Sequence, residues 1–229
     1  MSLKIPSHFV ETDIPYKFFL EEEVKAHCTS NDCWISLFGL VFDMTPLVTE
    51  ATNTMEAQPI LDAAGSDITH WFNSDGNVRT CIDQMTEMEV PYTPQGRFFH
   101  CPPRLPDARW VPDFEVPWWK DQRYVLGYLS TSPRKVFIVN TLTTHRHLVT
   151  VPNEETLSMI LERYKKYNNE GHAYVWKYKG KRLNMDISLK ENGIEDEADN
   201  YSELNIPEEM SYPAIHLYFT DSLDVAVPR

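Results

Sequence analysis

The sequence predicts an α+β protein built in two parts, and three observations predict it. Short apolar strand pairs occur in both halves, Trp34–Leu37 with Val41–Met44 and then KVFIVNTL with LVTV. One amphipathic helical repeat, Leu157, Ile160, Leu161 and Tyr164, follows the second pair at i, i+3, i+4, i+7. Between the halves, residues 91–133 hold eight of the sixteen prolines and three of the six tryptophans. Proline removes a backbone donor, so long regular elements are not expected there.

At 229 residues the chain suffices for two small domains or one of moderate size. With 42% apolar and 24% charged residues it has the composition of a folded globular protein. It contains no run of about 18 apolar residues, which predicts no membrane span. The N-terminal MSLKIPSHFVETDIPYKFF lacks an apolar core before a small-residue cleavage site, so no cleaved leader is expected. Four cysteines, at 28, 33, 81 and 101, form no CxxC pair and fit a reduced, cytoplasmic compartment. The net charge of −13 is concentrated early, with four cations against fifteen carboxylates in residues 1–90. Such a lobe repels phosphate backbones and excludes nucleic-acid binding. It serves either as a solvated face or as an electrostatic face for a basic partner.

Taken in order, an N-terminal arm (1–16) leads into a first domain (17–85). Leu20–His27 reads as a short helix with Glu21, Glu22 and Glu23 at its positive end. The two strands follow, joined at Phe38-Gly39, with the β-branched and aromatic content of a half-buried sheet. Thr45-Pro46 opens a helical turn with Thr45 as its cap. Ile60–Ala64 gives another, ended by Gly65, and Ser66 or Asp67 caps Ile68–Phe72. NSDGN, 73–77, is a turn.

The connector (86–133) carries Phe98, Phe99, Trp110, Phe114, Trp118, Trp119, Tyr124 and Tyr128, too many aromatics for a free linker. Two compatible readings stand: an irregular strap packed across one or both domains, or a docking segment whose Trp110, Trp118 and Trp119 meet a partner. The second domain (134–222) opens on a hairpin with THRH as its turn, His145 and His147 facing solvent together. The helix is capped by Asn153 or Thr156 and has Lys165 and Lys166 at its negative end. YVWKYKG, a turn at Gly180, a short strand near Leu183, the helical turn LKENGI, a solvated acidic loop GIEDEADNYSE and the strand AIHLYF complete a β-grasp. A tail (223–229) ends the chain.

Enzymatic chemistry finds no footing. No G-x-S-x-G, phosphate-binding loop or paired-histidine motif occurs. His27, Cys28 and Cys33, or His100 with Cys101, lack four-ligand zinc spacing, so buried structural cysteines and no metal are expected. The expected function is therefore non-catalytic.

Two resemblances sharpen this. VNTLTTHRHLVTVPNEET and YKGKRL make residues 134–220 resemble ubiquitin; the terminal DSLDVAVPR lacks a Gly-Gly tail, so conjugation through the C-terminus is not expected. Residues 17–85 resemble cytochrome b5 in VFDMT and AAGSDITHWF. The resemblance implies haem b as the one plausible cofactor, with ligand histidines at positions that here hold Ala51 and Asn77, or lie near Cys81 after a small shift. Alanine has no lone pair and asparagine is a poor haem ligand, so none is expected to bind. His70, paired with Cys81, Met55 or Met85, is the only alternative ligand set.

A b5-like domain, a connector with GRFFHCPP and PWW, and a ubiquitin-like end together resemble the cytochrome b5 domain-containing protein 1 family over almost the whole chain. That resemblance implies a structural subunit of the axoneme of cilia and flagella, in the cytoplasm and cytoskeleton. Its partners would be other radial spoke proteins, and it would influence beating. The contrasting expectation is a haem redox or electron-transfer protein using the b5 pocket.

Overall fold

The computed structural model describes residues 14–51, 54–105, 107–108, 110 and 112–219; the arm up to residue 13 and the tail from 220 lie outside them. The chain divides into two compact units, 1–131 and 132–229.

The first unit is built on β1 (Phe18–Phe19), α1 (Glu21–Ala26), β2 (Cys28–Thr29), β3 (Asp32–Leu37), β4 (Leu40–Asp43), α2 (Thr45–Glu50), α3 (Ala57–Asp62), β5 (Thr80–Ile82), β6 (Glu89–Pro91) and β7 (Val125–Leu129). Its main sheet has the order β1-β7-β4-β3-β2, and β5 and β6 form a separate ribbon. The expected strand pair is present as β3 and β4, with Leu37 opposite Leu40 across the Phe38-Gly39 turn, where both residues have positive φ. Thr45 is the first residue of α2, not its cap. Its hydroxyl accepts the Cys33 backbone N–H at 3.0 Å, tying helix to strand. Ile68–Phe72 tightens into a 3-10 turn, Thr69–Trp71, with Asp67 Oδ1 accepting the Thr69 N–H.

The connector departs most from expectation. Val125–Leu129 forms a regular strand, β7, seated between β1 and β4, so the first unit extends well past residue 85. No proline lies between 117 and 133, and VLGYL has strand composition, which is why pairing is possible there. The core of this unit joins Ile35, Leu37, Leu40 and Phe42 of the strands to Met44 before α2, Val48 of α2, Ile60 of α3 and, from the connector, Phe98, Trp118 and Trp119.

The second unit holds β8 (Pro133–Asn140), β9 (Arg146–Pro152), α4 (Leu157–Tyr164), β10 (Tyr174–Tyr178), β11 (Lys181–Arg182), α5 (Ala198–Glu203) and β12 (Ala214–Phe219). Sheet order is β11-β10-β12-β8-β9, with β12 parallel to β8 and the other pairs antiparallel. First and last strands lie parallel at the centre and one helix packs on the sheet, which makes this a ubiquitin-like β-grasp. Leu157, Ile160 and Tyr164 of α4 are buried against Val136, Ile138, Ile215 and Leu217. Thr156 is the cap, its hydroxyl accepting the Met159 N–H. Two expectations fail locally. The acidic loop winds into the exposed helix α5. His147 does not share solvent with His145 but stacks on Tyr167 at 4.7 Å and meets the edge of buried Tyr164.

Candidate functional site

The site to test is where the cytochrome b5 resemblance would have haem held, at Ala51 and at Asn77 or near Cys81. Ala51 caps the C-terminus of α2, its N–H bonded to Leu47 O at 3.3 Å. Asn77 lies exposed in a turn held by Asn73, whose Oδ1 accepts the N–H groups of Asp75 and Asn77. Its own Oδ1 accepts from Lys120 Nζ at 3.1 Å. Cys81 is half-buried on β5, opposite Val90 of β6. His70 is exposed on the 3-10 turn, and Met55 and Met85 are 89% and 94% exposed. None of these three projects into an apolar interior of the kind that holds a haem.

Connector side chains pack against the elements that carry these positions. Trp118-Trp119-Lys120 forms one 3-10 turn after Pro117. Lys120 reaches Asn77, while Trp119 packs on Phe72 at 5.5 Å and Phe98 at 6.0 Å. Trp118 meets Phe42, Phe72 and Phe98 edge-on, and Phe98 stacks on Trp71 at 5.0 Å. On the far side, Phe98, Phe99 and His100 share a cleft with Leu47, Glu50 and Ala51. Side chains thus run continuously from the Ala51 cleft to Asn77. The residues present do not fit haem: Ala51 and Asn77 offer iron no good donor, and His70, Met55 and Met85 are exposed instead of facing an apolar cavity.

Two backbone-directed hydrogen bonds lock this plug. The Trp118 indole N–H donates to Phe99 O at 3.1 Å, and the Trp118 backbone N–H donates to His100 Nδ1 at 2.9 Å. A ring that accepts at Nδ1 carries its proton at Nε2 when neutral. Burial lowers the His100 pKa against the opposing pull of Asp113 and Asp121, favouring that neutral form. His100 also stacks on Phe114 at 4.2 Å. Sequence reasoning noted His100 only beside Cys101; its part in fixing the tryptophan turn had no local signal. Trp118 and Trp119 are buried in the first unit's core, which is the strap arrangement and leaves neither ring exposed for docking. Trp110 is half-buried and borders two clefts.

Outside the crevice the groups do other work. A cleft of about 1110 Å³ is lined by Glu50, Asp113, Glu115 and Asp121 with Lys120 and Arg123. Asp121 accepts from Arg123 Nε and Nη2 at Oδ2 and from Nε at Oδ1, and this pairing holds its carboxyl below the usual range. His27 stacks on Trp34 at 3.5 Å and bonds Asp32 at 2.6 Å. Cys33 and Cys101 are buried, and burial pushes both thiols up to about 11, away from the thiolate a metal needs. Among the described residues no three His, Cys, Asp or Glu side chains are grouped to hold a metal, and no helix is long and apolar enough to cross a membrane.

Comparison with known proteins places this geometry. Residues 20–93 match the Cytochrome b5-like Heme/Steroid binding domain. Cytochrome b5 domain-containing protein 1 of Xenopus laevis is 44% identical over 208 residues, covering 90% of this chain and 96% of that protein. This chain belongs to the cytochrome b5 domain-containing protein 1 family. The Homo sapiens protein of that name is 42% identical over 90% of this chain and 91% of its own length. A solved design based on ubiquitin is similar to 42% of the chain and 98% of its own, at 17% identity and a TM-score of 0.31. The β-grasp assignment rests on strand order. Family membership and the matched domain place a cytochrome b5-like fold in the first unit.

Proposed function

We propose that this protein is a non-catalytic structural and interaction subunit, a b5 fold whose cofactor crevice has become hydrophobic core. The observation that carries this reading is the burial of Phe98, Trp118 and Trp119 of the connector in one core with Phe42, Trp71 and Phe72 of the b5-like region. A plugged crevice confers stability, and surfaces are then what the fold offers partners. The family resemblance supports the location: the axoneme of cilia and flagella, as a radial spoke component that influences beating, with other spoke proteins as partners.

Two measurements test the two layers. Purified protein titrated with haemin is expected to develop no low-spin Soret band; a band abolished by His70→Ala would overturn the first layer in favour of a haem redox protein. Tagged protein in ciliated cells is expected to stay with the axoneme after detergent removes membrane and matrix. Complete release into the soluble fraction would refute the second layer while leaving the first intact.

A further inference from the structure

The five strands of the β-grasp contain no aspartate or glutamate. All thirteen carboxylates of residues 132–219 lie in helices, turns and loops. In a chain of net charge −13 this is a marked segregation. Register assigns the outer face: Val136, Ile138, Trp176, Ile215 and Leu217 are buried, so their strand neighbours Phe137, Lys177, His216 and Tyr218 point the other way. Arg146 stands opposite Val139, and Arg182 opposite Lys177.

Two cations of this face lie over aromatic rings. Arg146 lies 3.3 Å over Phe137 and Lys177 lies 4.7 Å over Tyr218. Stacking of this kind fixes a long side chain while leaving its charge unneutralised. Lys135, at the rim, is already committed to Glu208 and Tyr212. Arg146, Lys177 and Arg182 have no carboxylate partner among the described residues. Leu148 and Tyr218 add exposed apolar area, 44% and 41%.

We propose that this outer sheet face, centred on Arg146, Lys177, Arg182 and Tyr218, is a docking surface for an acidic segment of a partner protein. Charge complementarity names the occupant. Three cations interspersed with the apolar side chains of Phe137, Leu148 and Tyr218 suit a peptide that carries both carboxylates and apolar groups, whereas a phosphate backbone would leave those apolar side chains without a partner. The inference deepens the scaffolding reading by naming a partner chemistry, and rests on it only in expecting that partners exist.

The test uses the full-length protein and a fluorescein-labelled decaglutamate with leucine at its fifth and sixth places. Anisotropy at low salt is expected to show binding that weakens by at least about tenfold between about 50 and 200 mM salt. Changing Arg146, Lys177 and Arg182 together to glutamine should weaken it at least about tenfold, and changing all three to glutamate should abolish it. Melting temperatures should stay within about 2 °C because the sites are exposed. Retained affinity in both variants would overturn the proposal, as would equal binding of the matching decaglutamine peptide. Binding to phosphatidylserine vesicles but not to the peptide would also overturn it, as would self-association that the variants abolish without peptide binding. Failure here leaves axonemal retention untouched, so the two readings are separately refutable.

Discussion

Trp118→Ala is expected to destabilise the first unit by about 3–5 kcal/mol, the range for truncating a large buried aromatic. Trp118 is fully buried, and its ring touches Phe42 of β4, Phe72 after the 3-10 turn, and Phe98 and Trp119 of the connector. Truncation removes contacts to all four and leaves Phe99 O without its indole donor. For a domain with about 5–15 kcal/mol in total this is a large fraction, and the urea midpoint should fall by more than about 1 M. Trp118→Phe keeps most of the ring packing and loses the hydrogen bond, so its cost should lie between wild type and alanine. A partner-docking tryptophan would behave differently: its replacement would leave solution stability within about 0.5 kcal/mol. Urea unfolding of the three proteins therefore tests the strap reading of PWW, and a midpoint unchanged in Trp118→Ala would refute the plugged crevice.

What was legible in the sequence follows from how local each signal is. The α4 helix announces itself because its apolar face repeats within eight residues, and Thr156 sits one residue before it. The expectation that both haem ligands are absent is of the local kind, since it needs only residue identity at positions counted from VFDMT and AAGSDITHWF, Ala51 and then Asn77 or a place near Cys81. The fate of the connector was not. Whether Trp118 and Trp119 face a partner or the domain's own core depends on Phe42, Phe72 and Phe98, which lie far away in sequence. Strand β7 was hidden for a related reason: high proline content over residues 91–133 masks a proline-free stretch, and its partners are β1 and β4, about a hundred residues back. His147 shows the same limit at short range, since its neighbours Tyr164 and Tyr167 arrive on and after a helix that the hairpin pattern does not foresee.

Gly127 is the backbone counterpart of Trp118, and Gly127→Ala is expected to cost roughly 3–5 kcal/mol. Gly127 sits in β7 at φ +154°, a region that residues with a Cβ rarely adopt. A Cβ there would stand 2.4 Å from Lys17 O and 3.2 Å from the Phe19 ring. That carbonyl cannot retreat cheaply, because it accepts the Tyr128 N–H at 2.8 Å where β1 and β7 run side by side. Relief would require β1 to separate from β7 or β7 to separate from Val41 on β4, and the Val41/Phe42 irregularity shows the register there already bends. Gly180→Ala provides the calibration. Gly180 has positive φ, but a Cβ at that position would meet nothing within 4 Å, so the substitution should cost only about 1 kcal/mol. If the two variants proved equally mild in urea unfolding, β7 would not be clamped between β1 and β4 in solution, and the strand that closes the connector onto the b5 fold would have to be reassigned.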